Sequence, residues 1–282
     1  RRVAAKPVES EGERLARTAQ VIGICRFSWP ALGGFKTKHD TPEQRAAYLY
    51  APARLDERFR LFEAFTLPSI RAQTDPDFTF LIVIGPDLPA DRLAQLQALV
   101  ADVPQAVIHA QPPGNHRAGM KEAINHHRRR GIWSLQFRHD DDDAINLRFV
   151  ALLRQTFATH LPLFGDQRHG VIAFSRGWNA RPDAQGIQAE PTKHLFPAVG
   201  SGMAIRPDVA LSGMNFGHHD AWMHMPAIIR TEPDMWLRGI NDHNDSGDAL
   251  GRRLERLDAE GEARFESAFG ISAARMRAIY GR

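Results

Sequence analysis

The chain has 282 residues, of which 43% are hydrophobic and 24% are charged, values ordinary for a globular protein with a sizeable core. Its formal net charge is only +3, too mild a balance to favour nucleic acid as a partner. The single cysteine, Cys25, excludes an intramolecular disulfide, and no apolar run could cross a bilayer of about 30 Å. No secretory signal pattern opens the sequence, so we expect a cytoplasmic location, with peripheral association at the inner face of the membrane left open.

The first half of the chain alternates predicted strands with predicted helices. Apolar and β-branched runs predict strands over 21–24, 78–84, 105–110 and 131–138. Apolar residues at helical spacing predict helices over 54–73, 89–103 and 115–130. Pro68 is expected to kink or split the first of these helices. Because such alternation is typical of parallel pairing, it predicts an α/β fold with a doubly wound, mostly parallel sheet flanked by helices.

The later part of the chain has a more mixed pattern. A helix is predicted over 146–161, a strand over 170–178, a strand pair or a strand and turn over 194–206, and a helical region over 252–269. No internal repeat, low-complexity segment or linker divides the sequence. We therefore expect a single domain over 1–282.

Four consecutive aspartates, Asp140 to Asp143, directly follow the fourth predicted strand. Neighbouring carboxylates repel by about 1 kcal/mol per pair at 4 Å in water. One interpretation is a solvated loop, or a cap on the helix predicted from Asn146. The other is a site for a hard divalent cation, because Mg²⁺ or Mn²⁺ binds one or two carboxylates together with substrate phosphate oxygens. If strand geometry continues, Asp140 and Asp142 face one side, and Asp141 and Asp143 the other.

The segment RHDDDDAI resembles the Asp-x-Asp segment of GT-A glycosyltransferases. Further segments are similar, in the same order, to the GT2-like branch of that superfamily: RFRLFEAFTLPSIRAQT, NHRAGMKEAIN, VGSGMAIR and GHHDAW. The combination most resembles the bacterial rhamnosyltransferase family, from Val21 to Ser246. The resemblance implies a GT-A type, Rossmann-like fold with a nucleotide-sugar-binding half over 20–143, an acceptor and catalytic half over 144–246, and a C-terminal helical region over 247–282.

The resemblance implies transfer of a sugar from a nucleotide diphosphate sugar to an acceptor hydroxyl. A divalent metal, Mn²⁺ or Mg²⁺, would bridge the diphosphate and the aspartates as a Lewis acid. Asp142 would be the leading metal ligand, and Asp140 would lie near the metal or the ribose. Asp143 would lie close to the donor sugar, and Asp141 is included among the donor-binding residues.

Two more residues are assigned to the metal and the diphosphate. Arg138 would contact a phosphate, or alternatively form an ion pair with the aspartates. His243, in the polar segment GINDHNDS, corresponds to a late histidine that several GT-A enzymes bring to the metal, with a surface loop as the alternative. A zinc site made by His218, His219 and His224 is rejected, because the spacing fits no common site and no cysteine supports it.

Residues at the ends of earlier elements complete the expected donor site. Arg26 and Phe27 close the first strand, where this superfamily begins its nucleotide pocket, with a structural role as the alternative. Asp87 follows the second strand and would hold the base or ribose, unless it only forms a turn. Arg117 and Lys121 lie one helical turn apart near a helix start, which suits a diphosphate but also an exposed helix face.

The acceptor side depends on the resemblance as well. An inverting transferase needs a general base, and the matching residue is Asp220, with His219 beside it to orient or pair with a neighbour. Three residues would let the backbone approach the donor or acceptor, or alternatively form a tight turn: Gly200, Ser201 and Gly202. Trp222 and Trp178 could stack on a sugar ring, although burial in the core is the favoured expectation.

Other functions stay open. A nucleotidyltransferase would carry a Gly-rich basic loop after the first strand, where GGFK, Gly33 to Lys36, is the only candidate. A phosphohydrolase of the haloacid dehalogenase type would place its aspartates after the first strand instead of the fourth. A non-catalytic nucleotide-sugar-binding protein would keep the fold without turnover. The expected partners are a nucleotide diphosphate sugar donor and a saccharide or lipid-linked saccharide acceptor, and rhamnose is implied only by the family resemblance.

Overall fold

Helices and strands alternate through the first part of the structure, a computed structural model that describes residues 9–33, 41–242 and 253–281. The helices are α1 (Glu11–Thr18), α2 (Pro42–Leu49), α3 (Pro52–Leu61), α4 (Leu67–Arg71), α5 (Ala90–Val100), α6 (His116–His127), α7 (Phe149–Phe164), α8 (Ala259–Phe269) and α9 (Ala273–Tyr280). The strands are β1 (Gln20–Arg26), β2 (Thr79–Ile84), β3 (Ala106–Ala110), β4 (Ser134–Asp140), β5 (Ala144–Ile145), β6 (His169–Phe174), β7 (Arg176–Asp183), β8 (Gly186–Lys193), β9 (Ser201–Ile205), β10 (Ala227–Arg230), β11 (Trp236–Gly239) and β12 (Glu255–Arg256).

The main sheet has the strand order β10-β6-β9-β4-β1-β2-β3. Strands β4, β1, β2 and β3 run parallel, as do β10 and β6, whereas β9 is antiparallel to both of its neighbours. The predicted α/β class with a mostly parallel sheet flanked by helices is therefore confirmed. Because β1 and β4 lie side by side, Arg26 is the register partner of Asp140 at their carboxyl ends.

Apolar side chains cover both faces of the central strands. On β1, Val21 and Cys25 join the core that contains α7, whereas Ile22 and Ile24 join the core beneath α6. Strands buried on both faces read as the near-continuous apolar runs seen in the sequence. Within the described residues, no helix is long and apolar enough to cross a membrane.

A second sheet, which the sequence pattern did not predict, has the order β12-β8-β7-β11-β5. Its short strand β5 follows the aspartates directly and pairs with β11, where Ile145 opposes Trp236. The residues that follow β11 are thereby brought to the carboxyl end of β4. The predicted strand over 170–178 is corrected here, because the chain leaves the main sheet after β6 and enters the second sheet as β7. Of the strand pair considered over 194–206, only β9 forms.

The predicted helix over 54–73 runs through Pro68 without a break. A π-helical turn over Phe62–Thr66 joins α3 to α4, and Leu61 and Leu67 on either side keep helical dihedral angles. In a π-helical turn the hydrogen bonds run from residue i to residue i+5 instead of i+4. Pro68 lies at the start of α4, directly after this turn, where the missing N–H of proline is tolerated. Instead of a split, the helix has a local widening beside the aspartates, where Thr66 Oγ1 donates to the Asp143 carbonyl at 2.8 Å.

Candidate functional site

The four aspartates form a turn at the carboxyl end of β4. The Asp143 N–H donates to the Asp140 carbonyl at 3.2 Å, which closes the turn. Asp140 is exposed, whereas Asp141, Asp142 and Asp143 are only 3%, 5% and 6% exposed. Three carboxyl groups are thus held inside the protein, so the solvated-loop interpretation is wrong for them.

Two further sequence interpretations of this segment are corrected by the turn. The alternation that paired Asp140 with Asp142 and Asp141 with Asp143 does not hold, because β4 ends at Asp140 and the chain turns. The adjacent residues Asp141 and Asp142 therefore both contact the same side chain, Arg58. The helix-cap interpretation is also wrong, since β5 intervenes and α7 begins at Phe149.

The buried aspartates are bound by groups from distant parts of the chain. Arg58 on α3 donates from Nε to Asp141 Oδ2 at 3.0 Å and from Nη1 to Asp142 Oδ2 at 3.1 Å, and its Nη2 pairs with Asp141 Oδ1. Asn241 Nδ2 donates to the same Asp142 oxygen at 2.7 Å. The Gly239 N–H donates to Asp143 Oδ1 at 3.1 Å. Helix α3 and the end of β11 therefore both close on this turn.

Burial shapes the protonation of this cluster. It raises the pKa of Asp143 well above its usual value, with the Asp142 and Asp140 carboxylates adding to the effect. Burial alone would lower the pKa of Arg58, but the nearby Asp142 and Asp140 carboxylates outweigh it and raise that pKa. Arg58 is therefore a permanent cation beneath the aspartates.

Arg138 joins β4 to the loop that precedes Asp220. Its Nη2 donates to the main-chain carbonyls of Gly213 at 2.8 Å and Phe216 at 2.5 Å. The alternative of an ion pair with the aspartates is not what the structure contains. Burial, with the charge of Arg117 next in importance, lowers the pKa of Arg138 to about 10.

Positive charge surrounds two half-buried histidines at the same edge. Burial, followed by the positive charges of Arg26, Arg138 and Arg117, lowers the pKa of His116 to about 3. The pKa of His218 is also lowered to about 3, by burial first and then by its charged neighbours, which include Arg138 and Arg117. The predicted residues Arg26, Arg117 and Arg138 thus act on a common region, at the carboxyl ends of β1 and β4.

Helix α6 presents its first turn to this region. Asn115 caps the helix, its Oδ1 accepting from the Ala118 N–H at 3.1 Å, and Arg117 is exposed directly behind the cap. Lys121 is half-buried one turn later. A capped helix start with an exposed guanidinium is suited to an anionic ligand.

Two other predicted donor residues have different surroundings. Phe27 is fully buried, and its ring packs edge-on against Phe59 and Phe62 at centroid distances of 5.0 and 5.4 Å, so it lies in the core. Asp87 is exposed in a turn after β2, and its charge, after burial, contributes to raising the pKa of Tyr50 to about 12.

The Gly-Ser-Gly segment begins β9. A Cβ at Gly200 would lie 2.2 Å from Trp236, and a Cβ at Gly202 would lie 2.6 Å from Leu153. Both glycines are therefore needed for close packing, because the side chains of Trp236 and Leu153 occupy the space that a Cβ atom would take. Ser201 between them is 7% exposed and lines a small cavity together with Arg138 and His218.

The proposed base lies in an exposed loop. Asp220 and His219 are both exposed, and Asp220 is the N-cap of a one-turn 3₁₀ helix over Ala221–Met223. His218, two residues earlier, lines the cavity beside Arg138. The loop is thus fixed to β4 through Arg138 and its two carbonyl partners.

The two candidate stacking tryptophans differ in burial. Trp222 is 54% exposed, so the expectation that it lies in the core is wrong. Its neighbour Ala221 is fully buried and anchors the 3₁₀ turn, which leaves Trp222 outside. Trp178 is half-buried, packs against Phe265 at 5.4 Å and donates from Nε1 to Asp234 Oδ2 at 3.1 Å.

The residues of the aspartate turn can be compared with the ligand set that a divalent metal requires. Among the described residues, no group of three or more His, Cys, Asp or Glu side chains is arranged to hold a metal ion. Asp140 is exposed, and Asp142 is fixed by Arg58 and Asn241. One or two carboxylates are the set that Mg²⁺ or Mn²⁺ takes when phosphate oxygens and water complete the shell, so these residues fit. His243, the third predicted ligand, lies outside the described residues.

Sequence reasoning missed Arg58 and Asn241 as partners of the aspartates, and His116 and His218 as part of the cationic edge. A signal for Arg58 was present, because it lies three residues after Leu55 and four before Phe62, on the apolar stripe of the predicted helix. A charged residue on a buried stripe requires a buried partner. No local pattern pointed to Asn241.

The fold and the site together define an α/β protein with an acidic turn and a cationic rim at one edge of its main sheet. A sequence-family model described as "Putative rhamnosyl transferase" matches residues 20–253. The chain belongs to this family, whose description is that of a glycosyltransferase. No curated protein matches the chain in sequence.

Several solved structures are similar in fold. TarS residues 1–349 of S. aureus align with 9% identity and a TM-score of 0.41, over 78% of this chain and 60% of that one. The same TarS fragment in complex with UDP-GlcNAc aligns with 11% identity and a TM-score of 0.43, over 82% and 61%. A 4-diphosphocytidyl-2C-methyl-D-erythritol synthase from Anaerococcus prevotii aligns with 7% identity and a TM-score of 0.35, over 77% and 89%. The chain spans about 60% of the TarS fragment, and the assignment rests on the family match.

Proposed function

We propose that this glycosyltransferase transfers a sugar from a nucleoside diphosphate sugar to an acceptor hydroxyl at the carboxyl ends of β1 and β4. The proposal rests on one observation above all. The acidic turn Asp140–Asp143 and the cations Arg26, Arg117 and Arg138 meet at that edge, where parallel sheets bind ligands. A metal-bound diphosphate presents both signs of charge and matches such a pair of regions.

In this proposal, Asp140 and Asp142 hold a divalent cation, with His243 as the candidate further ligand. The cation, when bound, neutralises charge on the departing nucleoside diphosphate. Arg117 and the start of α6 contact the diphosphate from the other side, supported by Lys121 and Arg26. Asp87 contacts the base or ribose at the end of β2. Arg138 holds the loop that carries Asp220, because its guanidinium binds the Gly213 and Phe216 carbonyls.

Asp220 is proposed as the general base of an inverting transfer. Its carboxylate takes the proton of the acceptor hydroxyl as that oxygen forms a bond to the anomeric carbon. The bond from the anomeric carbon to the phosphate oxygen breaks, and the nucleoside diphosphate leaves with the electron pair. The exposure of Asp220 suits contact with an acceptor arriving from solvent. His219, exposed beside it, orients the base or the acceptor.

Rhamnose is the proposed donor sugar, on the family description alone. The proposed acceptor is a saccharide hydroxyl, on a free or a lipid-linked saccharide. Asp220 and Trp222 lie in one exposed loop, and this supports an acceptor position on that side of the proposed site.

The first test is thermal stabilisation by a panel of nucleoside diphosphates and nucleotide sugars, with and without Mn²⁺. A ligand at a hundred times its dissociation constant adds about 2.7 kcal/mol to the free energy of unfolding. We expect one nucleoside diphosphate to stabilise the protein only with Mn²⁺, and Asp142→Ala to abolish that effect.

The outcomes of this panel separate the candidate functions. If no nucleotide in the panel stabilises the wild type with Mn²⁺ present, the proposed donor site is wrong. Stabilisation by nucleoside triphosphates in preference to diphosphate sugars would favour a nucleotidyltransferase instead. Arg154→Met, far from the site, serves as the control that any loss of response in Asp142→Ala is local.

A further inference from the structure

Arg58 is a buried cation with no role in the reaction described so far. Its side chain is 8% exposed, and its partners Asp141 and Asp142 are 4% and 7% exposed at the side chain. Nε and Nη2 contact the two oxygens of Asp141, and Nη1 contacts Asp142. This two-point contact with one carboxylate fixes the orientation of that group far more tightly than a single hydrogen bond does.

The guanidinium approaches the turn from the protein interior. Arg58 lies on the buried stripe of α3, and its neighbour Phe59 packs in the main core. Asp140, at the outer end of the turn, is exposed. Among the described residues, no hydrogen bond is made by the Asp140 side chain, and its main-chain carbonyl accepts from the Asp143 N–H and from Thr66 Oγ1 at 3.5 Å and contacts His139 Nδ1 at 2.6 Å. The turn thus has an inner side neutralised by protein and an outer side that faces solvent.

Asn241 strengthens the same division. Its Nδ2 donates to the Asp142 oxygen that Arg58 also contacts, so that oxygen has two donors, both from the protein. An oxygen already shared by a guanidinium and an amide is a weak ligand for a cation arriving from the interior side. A second metal position on the inner side is closed by Arg58 itself.

We propose that Arg58 is the positioning residue of the metal and donor site: it fixes Asp141 and Asp142 from the interior, so that Asp142 is held in a set position beside Asp140, the carboxylate that faces solvent. The inference rests on the proposed function, because it assumes that the turn binds a divalent cation. It goes beyond that function in two respects. It assigns a single cation position, on the Asp140 side of the turn, and it assigns the neutralisation of Asp141 and Asp142 to Arg58 on α3. Arg58 does not touch the substrate.

The test replaces Arg58 with methionine, which keeps an unbranched side chain but removes the charge. The inner carboxylates of Arg58→Met then lack a counter-charge, so a divalent cation binding at the turn should replace it. With MnCl₂ alone and no nucleotide, we expect the melting temperature of Arg58→Met to rise by several degrees, at least about 2–4 °C. The wild type should shift much less, because its inner side is already neutralised.

A second readout measures positioning. In the presence of Mn²⁺, the affinity of Arg58→Met for the nucleoside diphosphate selected by the panel should fall by about 10–100-fold, the effect typical of groups that orient metal ligands. Arg58→Lys restores the charge but not the two-point contact, so it should melt near the wild type while recovering only part of the affinity.

Arg154→Met is the matched control. Arg154 is another buried arginine with two acidic partners, Asp75 and Asp77, but it lies at the opposite end of the sheet. Its removal should destabilise the protein without creating any response to MnCl₂ and without changing nucleotide affinity. If Arg58→Met behaves in the same way as Arg154→Met, the positioning role is refuted and Arg58 is only a structural residue.

Should Arg58→Met fail to fold, the double variant Arg58→Met/Asp141→Asn decides the question. It removes one charge of each sign, so it should fold without metal and still show weakened nucleotide binding. Unchanged nucleotide affinity in that variant would refute the proposal. The MnCl₂ response is measured without nucleotide, so failure of the wild type to bind nucleotides would contradict the proposed function and not this inference.

Discussion

Arg58 at the carboxyl end of the main sheet and Arg154 at its amino end are both nearly buried, and each pairs with two aspartates. Arg154 on α7 donates to Asp75 at 2.8 Å and also to the carbonyls of Ala16 and Ala19 at 2.7 and 2.6 Å. Its acidic partners lie nearer solvent, with side-chain exposures of 22% and 68%. The guanidinium there ties α1, α7 and the entry to β2 together.

The carboxyl end has the opposite balance. Four consecutive aspartates lie beside one buried guanidinium that contacts two of them, and three of the four are nearly inaccessible to solvent. Burying charge without full compensation costs free energy that a purely structural site would avoid. The comparison teaches that a buried arginine does not identify function by itself; the excess of carboxylates around it does.

The largest expected effect is a loss of transfer rate when an aspartate is replaced by asparagine at the carboxyl end of the main sheet, with no loss when the same replacement is made at the amino end. Asp220→Asn removes the proposed base, so the transfer rate should fall by about 10²–10⁴-fold while metal-dependent nucleotide binding is retained. Asp75→Asn at the amino end should leave both quantities unchanged. The measurement is release of nucleoside diphosphate in the presence of acceptor, together with a binding titration. Full turnover in Asp220→Asn would assign the base elsewhere, and His218 would be the next residue to substitute.

The alternation of strands and helices was predictable because buried parallel strands have continuous apolar sequences and amphipathic helices follow a 3.6-residue period. The position of Asp140 at a strand end followed from the same periodicity. The second sheet was not predictable in this way. Its strands β5 and β12 are two residues long, and β7 and β8 have mixed polar sequences, so neither period is visible.

The site was predictable in its outline and not in its connections. Asp140, Arg117 and Arg138 come together at one edge because they end or begin neighbouring elements. The pairing of Arg58 with Asp141, and of Asn241 with Asp142, depends on how α3 and β11 pack against the turn. Local sequence encodes no such distant contact. Strand alternation also failed at Asp141, since a hydrogen-bonded turn replaces the extended backbone there.

A smaller effect is expected from Trp222, the exposed aromatic residue beside Asp220. Pairs of aromatic rings gain about 0.5–1.5 kcal/mol beyond the area they bury, and we expect a gain of similar size from a sugar ring stacked on Trp222. Trp222→Ala should therefore raise the KM for the acceptor several-fold, with the affinity for the donor nucleotide unchanged. Leu163→Ala is the matched control, because Leu163 is similarly exposed, at 60%, near the end of α7. Equal acceptor KM values for the wild type and Trp222→Ala would remove this residue from the acceptor site.

The smallest expected effect is a dependence of donor binding on pH, which the amino end of the sheet should not share. His116 and His218 both have a pKa of about 3 in the free protein, against an ordinary value of 6.5. Both pKa values are depressed in the folded state, so the unfolded chain takes up protons first as the pH falls below 6.5. The free energy of unfolding should therefore decrease from about pH 6.5 towards pH 3.

A bound diphosphate reverses part of this depression, because its negative charge favours the protonated imidazoles. Binding of a nucleotide sugar, whose diphosphate stays ionised in this range, should take up protons and tighten as the pH falls from about 5 towards 3, by at most about tenfold for each histidine whose pKa rises by one unit. Calorimetry in buffers of different ionisation enthalpy measures that uptake directly. His116→Gln/His218→Gln should abolish it, whereas His126→Gln, in the last turn of α6, should leave it intact. If the double variant still takes up protons on binding, another group at the cationic edge faces the diphosphate, and the histidines lie outside its field.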